Sequence, residues 1–322
     1  MGNIGKIRTG VIGAGLMGQN HARVYSEISN LVGISDVDEE QGNLVAKRFG
    51  VEFYKDYRQM LSSVDAVTIA VPTMLHKEVA EAVASHGVNL LVEKPLAGDV
   101  KDAQAIISSA EKNGVILSVG HIERHNPVVS FLHKALEVGR WGNLVNMSSR
   151  RVSRYPLRVK DIGVVHDLAV HDLDIMRYLS GGEINKVNAF GGSMESPNGD
   201  IDYASIILEF DNEILGHCDV SWLTPMKIRE LVLTFNKAYV VADYMKQEVK
   251  VYQSSIAAVP SNLYKVDHDV KLDIIKLEKR EPLKQELLNF LKSINHEEQL
   301  IVSGNDGLEV VKIADNIIKM LT

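Results

Sequence analysis

Short apolar runs and amphipathic stretches alternate along the first third of the chain. Ile7–Ile12, Leu31–Ser35, Ala66–Ala70, Asn89–Val92 and Val115–Val119 are rich in β-branched residues and bounded by turn-forming or polar positions. They lack strict polar alternation, the mark of strands covered on both faces. Between them, Met17–Ser29, Glu39–Phe49, His76–His86 and Lys101–Asn113 repeat apolar residues at spacings of three and four, the period of a helix with one buried face. Strands separated by helices of this length predict βαβ units around a parallel, doubly wound sheet.

The rhythm changes near residue 142. Asn143–Val152, Ile184–Met194, Ile201–Phe210, Ile214–Trp222, Arg229–Phe235, Ala238–Tyr244 and Glu248–Gln253 are strand-like, and several alternate polar with apolar residues. Turn residues such as Asn198-Gly199-Asp200 separate them, which predicts a mostly antiparallel open sheet with one packed face. One helix, Val165–Leu179, lies between the first two of these strands and stops at Gly181-Gly182. Pro282–Ser293 and Asp306–Leu321 read as closing helices, and the charged stretch 276–281 reads as a surface excursion. The fold class is therefore α/β, with residues 1–121 as a doubly wound domain and 122–322 as an α/β domain built on the antiparallel sheet.

The 322 residues suit two domains at about 150 residues each. With 35 basic against 42 acidic side chains the net charge is −7, which argues against nucleic acid as a partner because phosphate contacts need an excess of Lys and Arg. A single Cys218 excludes an intrachain disulfide framework and a Cys-rich zinc module. No uncharged apolar run approaches the roughly 20 residues needed to span a bilayer. A glycine-rich turn occupies the place where a signal peptide would be cleaved. The expectation is a cytoplasmic protein with no membrane partner, and an open sheet of this kind suggests a homo-oligomer, a dimer or a tetramer.

Gly13-Ala14-Gly15-Leu16-Met17-Gly18 matches G-x-G-x-x-G between a predicted strand and a predicted helix, the context that gives the motif meaning. Gly13 permits the tight turn, Gly15 lets backbone approach a pyrophosphate, and Gly18 allows close helix–strand contact. Asp36 follows eighteen residues after Gly18, at the end of the second strand, where a carboxylate accepts ribose hydroxyls. With Asp38, Glu39 and Glu40 beside it and no Arg or Lys in that stretch, it repels a 2′-phosphate, so the expected cofactor is NAD. The three neighbouring acids equally suit a helix N-terminus.

Glu93-Lys94-Pro95 directly follows the strand Asn89–Val92, at a strand end that lines the ligand crevice of such sheets. This position gives Lys94 a functional reading, with Pro95 as a candidate cis residue that aims it. Pro72, Thr73 and His76 follow another strand end and are expected to border the cofactor, His76 more for packing or capping than for chemistry. Farther on, Asp167, His171 and Asp174 share a helix face at offsets of four and three. A carboxylate beside an imidazole makes a general base. A divalent-metal site and a merely structural histidine are the competing readings at this point. The expected metal content is none.

In this order, the glycine fingerprint, Glu93-Lys94-Pro95 and the Asp167-x-x-x-His171 pair resemble the Gfo/Idh/MocA oxidoreductases over nearly the whole chain. The resemblance implies a Rossmann domain, a C-terminal domain whose open sheet mediates oligomerisation, and oxidation of a secondary alcohol on a sugar or cyclitol. It implies that Lys94 and His171 are the catalytic lysine and histidine and Asp167 the associated acid, with Glu93 at the nicotinamide end. Gly120-His121-Ile122-Glu123-Arg124-His125-Asn126-Pro127 is similar, more narrowly, to a string of UDP-N-acetylglucosamine 3-dehydrogenases, with His125 in place of Phe and His166 in place of an apolar residue. That similarity implies Arg124 and Asn126 as substrate contacts; His121 follows another strand end, where a substrate contact and a structural role fit equally. Arg150, Arg151, Arg154, Arg158 and Lys160 crowd eleven residues of an acidic chain. Guanidinium forks there suit an anionic nucleotide sugar, with Arg154 and Arg158 as the expected contacts. A solvated run or a subunit contact fits the same residues.

Overall fold

The computed structural model describes residues 3–156, 163–254 and 270–322. Six parallel strands form the first sheet: β1 (Arg8–Ile12), β2 (Asn30–Ser35), β3 (Glu52–Tyr54), β4 (Ala66–Ile69), β5 (Asn89–Val92) and β6 (Leu117–Val119). Their order, β3-β2-β1-β4-β5-β6, reverses at β1 and opens a crevice beyond the strand ends. Helices α1 (Leu16–Ile28), α2 (Glu39–Phe49), α3 (His76–Ser85) and α4 (Val100–Asn113) cross between the strands. Asp38 and Asp99 cap α2 and α4, while Gly50 and Gly114 end these helices in the left-handed region. The periodicity foresees all of these elements except β3, whose three residues are only partly buried and lie in no apolar run, unlike the equally short β6.

In the second half come α5 (Pro127–Glu137), β7 (Leu144–Arg154), α6 (Val170–Ser180), β8 (Ile184–Gly192), β9 (Tyr203–Phe210) and β10 (Leu215–Ser221). They are followed by β11 (Leu223–Phe235), β12 (Tyr239–Asp243), β13 (Glu248–Ser254) and β14 (Val270–Lys276). The eight-stranded sheet runs β14-β13-β12-β11-β7-β10-β9-β8. All its pairs are antiparallel except β7 with β10. Along β9 and β10, Ala204, Ile206, Leu208, Phe210, Cys218 and Val220 point into the core, while Tyr203, Ile207 and Leu215 stay exposed with Phe190. Sequence reading missed two elements here. Its signal for α5 was present in the Asn126-Pro127 pair, a cap followed by a first-turn proline. The edge strand β14 is mostly exposed and its charges mask the alternation.

After β14 come α7 (Pro282–Ile294) and α8 (Gly304–Leu321). Where a single cut at 121/122 was expected, the chain crosses back: residues 281–315 group with 1–125, and 126–280 group with 316–322. Hydrophobic burial explains the return. Leu283, Leu287, Phe290 and Leu291 of α7 complete the core on one face of the parallel sheet, with Val24, Tyr25, Leu31, Ile34 and Leu91. Leu308 and Val311 join Ile69, Val83, Leu90 and Ile106 on the other. Among the described residues, no helix is long and apolar enough to cross a membrane.

Candidate active site

At the C-terminal ends of β1 and β2, a cleft of about 430 Å³ is lined by Gly13, Gly15, Asp36, Val37 and Pro72, with Tyr57 and Arg58 on its rim. Gly13 has φ +100°, and a Cβ there would lie 2.5 Å from the Ala70 carbonyl oxygen. A Cβ on Gly18 would fall 1.8 Å from the Gly13 carbonyl oxygen. Gly15 differs: a Cβ would meet nothing within 4 Å, so its glycine keeps open space at the start of α1. Gly15 is also the cap residue of α1 and makes no side-chain cap bond, leaving the first-turn N–H groups of Leu16, Met17 and Gly18 to face an anion. Ala14 donates its N–H to Asp36 Oδ2 at 2.5 Å, and Asp36 Oδ1 accepts from Asp38 N at 2.9 Å. An open phosphate cradle beside a carboxylate held by backbone donors fits a dinucleotide with free ribose hydroxyls.

The expectation that no Arg or Lys stands near Asp36 is corrected. Ser35 pairs in register with Tyr54, so Lys55 and Arg58 emerge beside Asp36 and line the same cleft. Carboxylates claim both: Lys55 Nζ lies 2.5 Å from Glu39 Oε1, and Arg58 Nη2 lies 3.1 Å from Glu78 Oε1. Arg58 also stacks 4.7 Å from the centre of the Tyr57 ring.

Lys94 sits in the turn after β5, and the Lys94–Pro95 peptide is cis. Two buried histidines brace this turn. His76 Nδ1 lies 3.0 Å from the Pro95 carbonyl oxygen and Nε2 3.0 Å from that of Val71, so the ring fills the space between the turns after β4 and β5 and, when neutral, donates to one of the two. Burial holds its imidazole below the ordinary histidine range. Thr73 opens the short turn Thr73–Leu75 that leads into α3. The second histidine, His21, meets Glu93: Nε2 and Oε1 are 2.7 Å apart. Glu93 therefore turns into the core, 8% exposed, rather than outward to a nicotinamide as expected. Sequence reading passed over His21, Tyr25 and Thr68; their signal was polar side chains on the inward faces of α1 and β4.

The expected substrate contacts divide. His121, at the end of β6, is buried. Arg124 is 4% exposed and spends its guanidinium on the Ile301 carbonyl, at 3.1 Å, and on Asp306, at 2.9 Å. Asn126 caps α5 through Val128 N and donates to the Tyr244 carbonyl. Both are engaged in the framework. In the basic run, the strand period of two separates neighbours: Arg150 faces solvent beside Asp219, while Arg151 makes a buried bidentate pair with Asp172 at 2.8 and 3.0 Å. Arg154, at the exposed end of β7, donates Nε to the Pro225 carbonyl. Arg158, with Lys160, lies outside the described residues.

Asp167 and His171 stand where α6 begins, but 165–169 form a wide i→i+5 turn instead of regular helix. Such turns shift side chains off the usual helical stagger and recur at functional sites. Asp167 is buried and His171 half-buried. Asp172 and Asp174 point inward, Asp172 onto Arg151. Among the described residues, no group of three or more His, Cys, Asp or Glu side chains is arranged to hold a metal ion.

Comparison with known proteins agrees with this architecture. Residues 7–121 match the model of an oxidoreductase family with an NAD-binding Rossmann fold, and 129–241 match the GFO/IDH/MocA C-terminal domain. The chain is 30% identical to the UDP-N-acetylglucosamine 3-dehydrogenase of Acidithiobacillus ferrooxidans, across 96% of this chain and 95% of that protein. The solved structure of that enzyme superposes with a TM-score of 0.89, covering 98% of this chain and 97% of the other at 29% identity. The myo-inositol 2-dehydrogenase of Thermotoga maritima is also 30% identical, over 94% of this chain and 92% of that one. With its glycine cradle, its lysine turn after the fifth strand and its open eight-stranded sheet, the chain belongs to the Gfo/Idh/MocA family of NAD-binding oxidoreductases.

Proposed function

We propose that the protein oxidises the C3 hydroxyl of UDP-N-acetylglucosamine to a ketone. His171 takes the hydroxyl proton as general base, and Asp167 orients the reacting groups. Lys94 supplies a cation to the oxygen that gathers negative charge as its proton passes to His171. Gly13–Gly18 and Asp36 hold NAD, with Pro72 and Thr73 at its border; when bound, NAD supplies the acceptor for the hydride leaving C3. Arg154 and Arg158 contribute charge to the diphosphate, and His121 contributes a sugar contact. The exposed side of the large sheet, which carries Phe190, Tyr203, Ile207 and Leu215, closes a homo-oligomer.

One observation carries the reading: a lysine on a turn braced by two buried histidines stands at a strand end of the dinucleotide-binding sheet. The nucleotide sugar is favoured by the similarity to the A. ferrooxidans enzyme over 96% of the chain. The myo-inositol relative, at the same identity, supports oxidation of an uncharged cyclitol as a second reading. The test measures NADH formation with UDP-N-acetylglucosamine, free N-acetylglucosamine and myo-inositol, with chemical trapping of the ketone. The expected kcat/KM for the nucleotide sugar exceeds the others by on the order of 100-fold. Preference for inositol or for the free sugar overturns the assignment. Lys94→Ala is expected to lower kcat by about 1,000-fold with the circular dichroism spectrum unchanged.

A further inference from the structure

The turn that carries Lys94 stands on a line of buried polar side chains for which the reaction above has no use. From α1, His21 sets Nε2 2.7 Å from Glu93 Oε1. Its Nδ1 lies 3.3 Å from Thr68 Oγ1 on β4, and Thr68 Oγ1 lies 2.9 Å from the Tyr25 hydroxyl oxygen. Glu93 Oε2 accepts the backbone N–H of Lys94 at 3.2 Å. His21, Tyr25 and Thr68 are fully buried. A Cβ on Gly120 would lie 3.0 Å from Glu93 Oε2, so backbone closes over the carboxylate from β6.

One proton arrangement satisfies every member of this line. Tyr25 donates to Thr68, Thr68 donates to His21 Nδ1, and His21 donates from Nε2 to Glu93. A carboxylate accepts only, a hydroxyl donates one proton, and a neutral imidazole has one donor and one acceptor. Doubly protonated His21 would turn Nδ1–H toward Thr68 and leave one hydroxyl proton of the line without an acceptor within it.

We propose that His21 is a positioning residue for Lys94: it holds the buried Glu93 carboxylate, which fixes the Lys94 backbone N–H, while Thr68 and Tyr25 set the imidazole tautomer that donates. This rests on the reading of Lys94 as the cation at the substrate oxygen. The charges around Glu93 make the hold consequential. Burial pushes the Glu93 carboxyl up, but the hydrogen bond and electrostatic pull of His21, with the charge and N–H of Lys94, bring it below the ordinary carboxylate range. His76 also faces it electrostatically. From α7 comes Glu286, 2% exposed, with no hydrogen-bond partner for either oxygen. Burial, with the charge of Glu93 added, holds Glu286 well above the ordinary carboxylate range. Of these two buried carboxyls, the one His21 holds is the one favoured to carry the charge.

Without His21, burial acts on Glu93 unopposed by its strongest donor, and Glu93 gains a proton at higher pH. The folded protein then loses the carboxylate as pH falls through this raised value, and the Lys94 N–H loses its acceptor. The test titrates the Glu93 side-chain carboxyl by 13C NMR in the full-length protein, beside the pH profile of kcat, for His21→Ala and His21→Asn, whose amide retains a donor. In His21→Ala the Glu93 midpoint is expected to rise by about 1 pH unit or more, and the acid limb of kcat to rise with it. His21→Asn is expected between this variant and the wild type, and serves if His21→Ala does not fold. Tyr25→Phe should move both in the same direction by less. A lost structural contact alone would lower the folded fraction without moving either midpoint. A Glu93 midpoint unchanged in the His21 variants overturns the proposal, as does a midpoint that moves while kcat keeps its pH profile. Because the carboxyl titration needs no turnover, a failed assignment of Lys94, seen as a fully active Lys94→Ala, is distinguished from a failed hold on Glu93.

Discussion

The turn 13–18 and the run 150–158 both invite a phosphate-binding reading, one by glycines and the other by arginines, and the fold treats them differently. In the glycine turn the binding groups are backbone N–H donors. An uncapped helix start leaves them facing outward whatever the neighbouring side chains do. In the arginine run the binding groups are side-chain charges, and their availability depends on partners far away in sequence. Strand parity sends Arg151 inward to Asp172 and leaves Arg150 beside Asp219, while Arg154 lies exposed at a strand end and donates to the Pro225 carbonyl rather than to a carboxylate. A backbone site is legible from its motif; a charge cluster becomes legible only when its counter-charges are known.

The comparison can be broken most forcefully at Arg151. Removing it in Arg151→Ala leaves Asp172 buried without its bidentate partner, with an expected loss of about 3–5 kcal/mol in urea unfolding. Arg150→Ala, one residue away, should stay within about 0.5 kcal/mol of the wild type. Equal losses from both would sink the parity argument. In the glycine turn the contrast lies between Gly18 and Gly15. Gly18→Ala drives a methyl into backbone and is expected to cost about 3 kcal/mol of stability. Gly15→Ala has room, so its melting temperature should hold within about 2 °C. Its methyl nevertheless fills the cradle, and the NAD dissociation constant measured by calorimetry should rise on the order of 100-fold. A destabilised Gly15→Ala that binds NAD normally would reverse the roles given to the two glycines. The smallest effect is expected of Arg154→Ala: a rise of about fivefold in KM for the nucleotide sugar at unchanged kcat. An unchanged KM removes Arg154 from the substrate.

The parallel sheet was legible because its buried strands and amphipathic helices each carry a period over enough residues to show. Only β3, with Glu52, Phe53 and Tyr54 partly exposed and outside any apolar run, left no such trace. Its absence from the sequence reading had a cost at the site, because β3 delivers Lys55 and Arg58 beside Asp36 across the sheet. Gly13, Gly15, Gly18, Asp36 and Lys94 were legible from local spacing at strand ends. His21 was not, since its partner Glu93 lies 72 residues away and a buried histidine leaves no periodic trace. The framework bonds of Arg124 and Asn126 were hidden for a related reason. Both residues sit inside a recognisable string, but one side chain closes onto Asp306, 182 residues on, and the other caps a helix. At 165–169 a regular helix would have set the Asp167–His171 stagger, and the wide turn there has no compositional sign.

The return of residues 281–315 to the first unit sets an order of events during synthesis. A ribosome that has released only the first 125 residues has made every strand of the parallel sheet, but Leu283, Leu287, Phe290 and Leu291 are not yet translated. The nascent sheet therefore waits, one greasy flank bare, while the whole antiparallel half is produced, and such flanks are what chaperones clasp. A premature stop before residue 281 harms the nucleotide-binding half as much as the half it truncates.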